Sequence, residues 1–297
     1  MEDPAAPEED NTGKISITHP LNKKSGWVSL SSNIMGKDQK VLFNSTIFGP
    51  IHSRRLGVSL GINLSPSDGK VCSFDCVYCE AGYNSQGKGT SGFPSREKVD
   101  EELRNKLQGM KERGENLDVI TFSGNGEPTL HPEFPEILED VMNLRDEYFP
   151  GAKVSVLTNS TKIFTQKVAD ALRKADNNIL KLDSAIERTM RLVDQPNSPS
   201  FTVEKLVDGL KQFSGSGIIQ TMILRGEHGG EKIDNTTPTE LDALIKAYKD
   251  IRPREIMIYS LDRSTPEEKL EKVGKEELDE IGKKIEKETG IPVNISA

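Results

Sequence analysis

Three cysteines occur in this chain, and all three fall in one short window, Cys72-Ser-Phe-Asp-Cys76-Val-Tyr-Cys79, spaced C-x3-C-x2-C. Thiolate sulfur is a soft ligand that selects iron–sulfur clusters, zinc or copper(I). Three thiolates can hold three corners of a cubane iron–sulfur cluster and leave one iron without a protein sulfur. An iron with an open position binds a small molecule and can do chemistry on it. The same trio could hold a structural zinc, with His52 as fourth ligand, in a barrel that catalyses nothing. Zinc sites prefer C-x2-4-C pairs set apart by a longer spacer, so the compact run favours the cluster. An odd, clustered set does not suit a disulfide scaffold. It points instead to a reducing compartment, the cytoplasm.

The elements that must position this window are legible from Phe43 onward, where short apolar runs alternate with amphipathic stretches. The first run, Gly57-Val-Ser-Leu-Gly-Ile-Asn-Leu64, leads into the cysteines. A helix over about 95–113 follows, with Val99, Leu103, Leu107 and Met110 on one face. Further β-rich runs at 117–122, 153–157, 178–182, 218–224 and 255–259 alternate with four more helices. These begin after Pro132, near Phe164, near Val203, and at Thr237-Pro-Thr-Glu240, a capping box with proline at the first helical position. Thr265-Pro-Glu-Glu268 repeats that signal and predicts the last helix, and Ile291-Pro-Val-Asn-Ile295 predicts a final short strand. Six βα units in a row imply a parallel sheet with right-handed crossovers. The fold class expected is α/β, a partial (β/α)6 barrel with parallel strands, open on one side.

In such sheets the chemistry sits at the C-terminal ends of the strands. The polar clusters fall there: the cysteine loop after strand one, Ser123-Gly-Asn-Gly-Glu-Pro-Thr129 after strand two, Thr158-Asn-Ser160 after strand three. Asp183 and Ser184 follow strand four, Arg225-Gly-Glu227 strand five, and Ser260-Leu-Asp-Arg263 strand six. Cores do not need carboxylates and amides at every strand end.

Cys72-x3-Cys76-x-Tyr-Cys79 in the first βα loop, with Gly126-Glu127-Pro128 after strand two, resembles the radical S-adenosylmethionine (radical SAM) superfamily. Phe48-Gly-Pro-Ile-His-Ser-Arg-Arg-Leu-Gly57, the segment 123–132 and Tyr259-Ser-Leu-Asp-Arg263 are similar to its wyosine-synthase-like branch. The resemblance implies that Cys72, Cys76 and Cys79 each ligate one iron of a four-iron four-sulfur cluster, and that S-adenosylmethionine chelates the fourth iron. Reductive cleavage would then give methionine and a 5′-deoxyadenosyl radical that takes a hydrogen atom from substrate. Tyr78 would pack near the adenine, and Glu127 would accept from the methionine ammonium. Gly124 and Gly126 would let backbone approach the ligand. Asn159, Asp183 and Ser184 would bind ribose hydroxyls or the methionine carboxylate, the latter not suiting Asp183 while ionised, and Arg225 would pair with that carboxylate or with an anionic substrate. Wyosine synthases carry a second cluster on further cysteines; with no cysteine outside the window, a second cysteine-bound cluster is excluded here.

At 297 residues, with 34% apolar and 29% charged residues, the chain can bury one large core under a heavily solvated surface. Residues 1–40 read as an acidic, Pro-rich, disordered tail, with Trp27 as an anchor, and 41–297 as the barrel. No run is long and apolar enough for a membrane span. The net charge of -8 weighs against tRNA as substrate without excluding it. The electron would come from an external donor, a flavodoxin or ferredoxin docking near the cluster.

Overall fold

The computed structural model describes residues 41–53, 57–262 and 265–296. Trp27 and the rest of the expected tail, Arg54, Arg55 and Arg263 lie outside the described residues. Every residue of β3 (Val119–Phe122) and β6 (Ile218–Met222) is buried. A strand buried on both faces belongs in a parallel sheet covered by helices. The sheet has eight strands, in the order β1 (Ile47–Ser53), β2 (Gly57–Ile62), β3, β4 (Lys153–Thr158), β5 (Asn177–Lys181), β6, β9 (Glu255–Tyr259), β11 (Val293–Ser296). All neighbouring pairs are parallel except β1 with β2. The sheet is open, and its six central strands are those expected from the sequence.

Register decides where the loops emerge. Ile62 pairs with Phe122, Phe122 with Val156, Thr158 with Leu180, and Met222 with Tyr259. The strands therefore end nearly level, and their following loops leave along one edge.

The helices are α1 (Arg96–Glu112), α2 (Phe134–Tyr148), α3 (Gln166–Lys174), α4 (Glu187–Val193), α5 (Val203–Leu210), α6 (Pro238–Ile251) and α7 (Lys275–Thr289). Val99, Leu103, Leu107 and Met110 form the buried stripe of α1, and Ser95 caps it by accepting from the Lys98 amide. Thr237 caps α6 through the Glu240 amide, with Pro238 in its first turn.

Two sequence expectations are corrected. Thr265-Pro-Glu-Glu268 opens no helix; its Thr265 hydroxyl bonds the Glu267 carbonyl, and the last helix starts at Lys275. The intervening chain is taken by β10 (Leu270–Lys272), which pairs with β7 (Leu224–His228). With β8 (Glu231–Asp234) these strands make a separate three-stranded antiparallel sheet. The run 218–224 accordingly ends as a barrel strand at Met222 and restarts as β7, because the Asp183 carboxylate and the Asn235 side chain capture the Met222 and Leu224 amides.

β1 was not expected as a strand. It returns antiparallel along β2, and its Phe48 ring lies on Gly61, where a Cβ would come within 2.1 Å of a ring carbon. A cavity of about 140 Å³ remains on the inner face, lined by Phe48, Ser59, Thr121, Leu157, Gln220 and Met257.

Tyr248 of α6 is fully buried and its hydroxyl meets Thr221 Oγ1 at 2.6 Å, while Thr221 donates to the Leu182 carbonyl. This chain ties α6 to the ends of β5 and β6. Tyr248→Phe keeps the packing and removes one hydrogen bond, so it should cost about 0.5–1.5 kcal/mol. Tyr248→Ala adds a cavity and should cost about 3–5 kcal/mol. Urea denaturation of the two variants checks the ordering.

Candidate functional site

The cysteine loop and the loop after β3 are joined backbone to backbone. Val71 and Gly126 form a parallel bridge: the Val71 amide donates to the Asn125 carbonyl (3.2 Å) and the Glu127 amide to the Val71 carbonyl (3.1 Å). A Cβ on Gly126 would sit 1.9 Å from the Val71 carbonyl oxygen, so only glycine permits this approach. Asn125 is completely buried and behaves as a length of strand: it accepts from the Phe43 amide and donates to the Phe43 and Pro66 carbonyls. Gly124, at φ +146°, presses against the Asn63 side chain.

The far side of the cysteine loop is held by the segment after α4. Val77 donates to the Val193 carbonyl, Asp75 to Gln195, and Phe74 bridges to Pro196. The Cys72 carbonyl accepts from the side-chain amides of Asn84 (3.2 Å) and Asn197 (3.1 Å). Lys70, 1% exposed, threads beneath the loop, where its ammonium donates to the Gly82 carbonyl (2.8 Å) and to Asp75 (3.1 Å). Burial opposes that charge, and the neighbouring cysteine sulfurs, Cys79 foremost, outweigh it and hold Lys70 above the ordinary lysine range.

Burial, with the Glu127 carboxylate adding to it, pushes the Cys72 thiol up to about 12, and burial likewise raises Cys76 well above a free thiol. Glu127, 3% exposed, receives four hydrogen bonds. Its Oε1 accepts from the Thr129 amide and hydroxyl and from Thr158 Oγ1, and its Oε2 accepts from the Asn159 amide at 2.7 Å. Asn159 passes the connection on, its Nδ2 reaching Ser73 Oγ (2.9 Å) and Cys72 Sγ (3.5 Å).

A second polar knot lies beside Cys76. Asp183 Oδ2 accepts from the Tyr78 hydroxyl and from Lys181 Nζ, and its Oδ1 caps the Met222 amide. Lys181 also lies over the Tyr78 ring, 4.7 Å from its centroid. Burial opposes the Lys181 ammonium, but Asp183 outweighs it and keeps the group protonated above the usual lysine range. Burial and then Asp183 raise the Tyr78 phenol, which stays a donor. Asp194 stands 3.6 Å from Cys76 Sγ and 3.9 Å from Lys181; burial and then Asp183 lift its carboxyl well above the ordinary range.

Of the residues singled out from sequence, Cys72, Cys76, Cys79, Tyr78, Gly124, Gly126, Glu127, Asn159 and Asp183 all fall in these linked loops. Two do not suit the roles expected of them. Ser184 gives its hydroxyl to Glu240 on α6 (2.7 Å) and accepts the Ile186 amide, so it caps a turn. Arg225 sits on β7, engaged by Glu277, Thr236 and Asp234, and is committed to the small sheet. The glycines also act differently from expectation: they admit protein atoms, Val71 and Asn63, at close range. No group of three or more His, Cys, Asp or Glu among the described residues gathers around a single-ion position.

Four contributors were missed: Lys70, Asn125, Lys181 and Asp194. Lys181 left a trace, since a lysine inside the run Asn178-Ile-Leu-Lys-Leu182 of a fully covered sheet must find a buried partner. Lys70 and Asn125 sit in polar loops where nothing in residue type or spacing marks them.

Residues 67–231 match the Radical SAM superfamily. The chain belongs to that family. Its cofactors are a four-iron four-sulfur cluster and S-adenosylmethionine. A protein named GTPase Obg from Brachyspira hyodysenteriae is 31% identical over 87% of this chain, which spans 36% of that protein's length. The UPF0026 protein slr1464 of Synechocystis is 30% identical over 74% of this chain and 77% of its own. A radical SAM methyltransferase from Sphaerobacter thermophilus shares the fold, with a TM-score of 0.60 at 14% identity over 80% of this chain and 65% of its own. So does TYW1 with a lysine-pyruvate adduct bound, with a TM-score of 0.53 at 17% identity over 77% of this chain and 73% of its own.

The residues present fit a cluster with one open iron and an added ligand. All three thiols are free and share one pinned loop, with the buried ammonium of Lys70 and the partly buried one of Lys181 nearby to offset negative charge. Beside them Ser160 is held at φ +68°, fully buried, and its hydroxyl has no hydrogen-bond partner among the described residues. A buried hydroxyl without a partner, on a backbone conformation that favours glycine, marks a position that packing alone does not explain. Gly126→Ala should lower stability by about 1–3 kcal/mol through overpacking. It should also reduce the iron retained per chain after anaerobic reconstitution, measured by metal analysis.

Proposed function

We propose that the protein is a single-cluster radical SAM enzyme. Cys72, Cys76 and Cys79 would hold the cluster, and the loops 123–127 and 158–160 would seat S-adenosylmethionine. Bound there, these cofactors supply one-electron cleavage of the sulfonium bond and a 5′-deoxyadenosyl radical that abstracts hydrogen from substrate. The observation that carries the reading is the Val71–Gly126 bridge, which couples the thiolate loop to the loop expected to bind the cofactor.

The chain's own residues have definable parts. Glu127 orders the backbone of 127–129 and 158–159, and its Oε2, accepting a single protein donor, keeps a lone pair for the cofactor ammonium. Ser160 offers a hydroxyl to a ligand oxygen, and Asn159 bridges that loop to Cys72. Tyr78, pinned by Asp183, walls the site with an aromatic face. A chain of net charge -8 favours a small-molecule substrate over RNA. The free thiols suit the reducing cytoplasm, with a reduced flavodoxin or ferredoxin as the source of the electron.

Anaerobic reconstitution should give about four irons per chain, the count a cubane requires. With a strong reductant it should yield 5′-deoxyadenosine. Cys76→Ala should lose both the iron and the product, and product from that variant would defeat the assignment. Ser160→Ala should leave unfolding unchanged, because the hydroxyl bonds no described residue, while weakening S-adenosylmethionine binding by up to about tenfold, the loss of one hydrogen bond. Calorimetric titration measures this, and unchanged affinity would remove Ser160 from the site.

A further inference from the structure

We infer that the groove behind the cysteine loop is the docking site for a small acidic one-electron carrier. The groove, of about 530 Å³, runs between the loop after β4 and the segment joining α4 to α5; Ser73, Thr161, Lys162, Phe164, Asn197 and Lys205 are among its walls. The inference rests on the cluster assignment above and adds the surface through which that cluster is reduced.

Three observations converge on it. The first is nearness to a ligand. Ser73 is bonded to Cys72 in the chain, and Asn197 donates to the Cys72 carbonyl at 3.1 Å. Electron transfer falls steeply with distance, so a carrier seated against Ser73 and Asn197 has a short covalent and hydrogen-bonded route to a cluster sulfur. No opening of the barrel is needed.

The second is charge. The chain carries 47 acidic against 39 basic residues, yet the described residues lining this groove include two lysines and no carboxylate. Among the described residues Lys162 makes no ion pair, and Lys205 Nζ meets only the Ser200 carbonyl. The comparably sized groove beside β7 and β10 is lined by Glu227, Asp234, Glu268 and Glu271 among its cations. A positive patch on an acidic protein steers a negatively charged partner to one place.

The third is a fixed apolar anchor. Phe164 is 55% exposed, more than the other exposed large apolar side chains described, Phe93 and Val41. Its ring rests on Gly209 of α5, where a Cβ would come within 2.7 Å of a ring carbon. An aromatic that rests on a helix backbone at the surface and is flanked by cations is the kind of residue that anchors an interface. RNA is the competing occupant, but it asks for a row of phosphate contacts, and the walls offer two lysines.

The step is a single electron transfer: the carrier is oxidised by one electron and the cluster reduced by one, with no proton moved. Phe164→Ser and the double variant Lys162→Glu/Lys205→Glu test it, because these exposed side chains lie outside the cofactor site. Formation of 5′-deoxyadenosine by the reconstituted full chain is driven either by titanium(III) citrate or by reduced flavodoxin, with reduced ferredoxin in parallel. The expected result is unchanged titanium-driven product and at least a tenfold higher protein-carrier KM in the double variant. Added salt should lower the wild-type rate towards that of the variant. Variants indistinguishable from wild type with both carriers, or a wild type that neither carrier reduces, overturn the docking site alone. Equal losses with titanium(III) citrate would assign the groove to substrate or RNA and also overturn it. A wild type that gives no product even with titanium(III) citrate overturns the cluster reading itself, and the docking site with it.

Discussion

One contact governs the arrangement: the backbone of Gly126 lying against that of Val71. It is a two-bond parallel bridge made just beyond the end of β3, and it is possible only because a side chain is missing at that position. Through it the cysteine loop becomes an extension of the sheet. Asn125 on one side and Glu127 on the other are buried polar groups, and both carry hydrogen bonds to neighbouring segments of the chain. Such groups are costly when left unpaired and rigidifying when fully paired. The loops of the site are thus held to one another by protein hydrogen bonds, and the barrel contributes mainly by ending its strands level.

The polar knot around Asp183 has a complementary role. Lys181, Tyr78 and Asp194 bring a cation, a phenol and a second carboxyl to the neighbourhood of Cys76, in a largely buried region. Removing any one member would leave a buried charge or donor exposed to an apolar surrounding, which is the costly half of buried electrostatics. The same residues fix Tyr78 between two cysteines, so the loop geometry and the electrostatic setting of the sulfurs are one property.

Sequence reasoning reached the architecture because its signals are local. Runs such as Val119–Phe122 and Ile218–Met222 are buried throughout, and the stripe Val99, Leu103, Leu107, Met110 has helical spacing. The cysteine spacing and the polar strand ends are local too. What escaped depends on tertiary partners. Thr265-Pro-Glu-Glu268 has the chemistry of a helix start, but the chain after it is claimed by an edge pairing with β7. Arg225 carries a charge suited to a carboxylate ligand, and Glu277, fifty-two positions away in the chain, takes it. Glu127 was legible as a site residue, but not the full set of its donors: Thr129 is local, whereas Thr158 and Asn159 become donors only once two segments meet.

Lys70 carries a thermodynamic implication. An ammonium entombed beneath the loop, with one carboxylate and one carbonyl for company, tolerates burial better when an assembly of net negative charge sits above it. With the cluster held as proposed, metal loading and loop order would be linked, each favouring the other by the same free energy. On the proposed cluster assignment, the segment 70–89 would lose that compensation when stripped of iron, and the empty protein should be easier prey for proteases there than the loaded one.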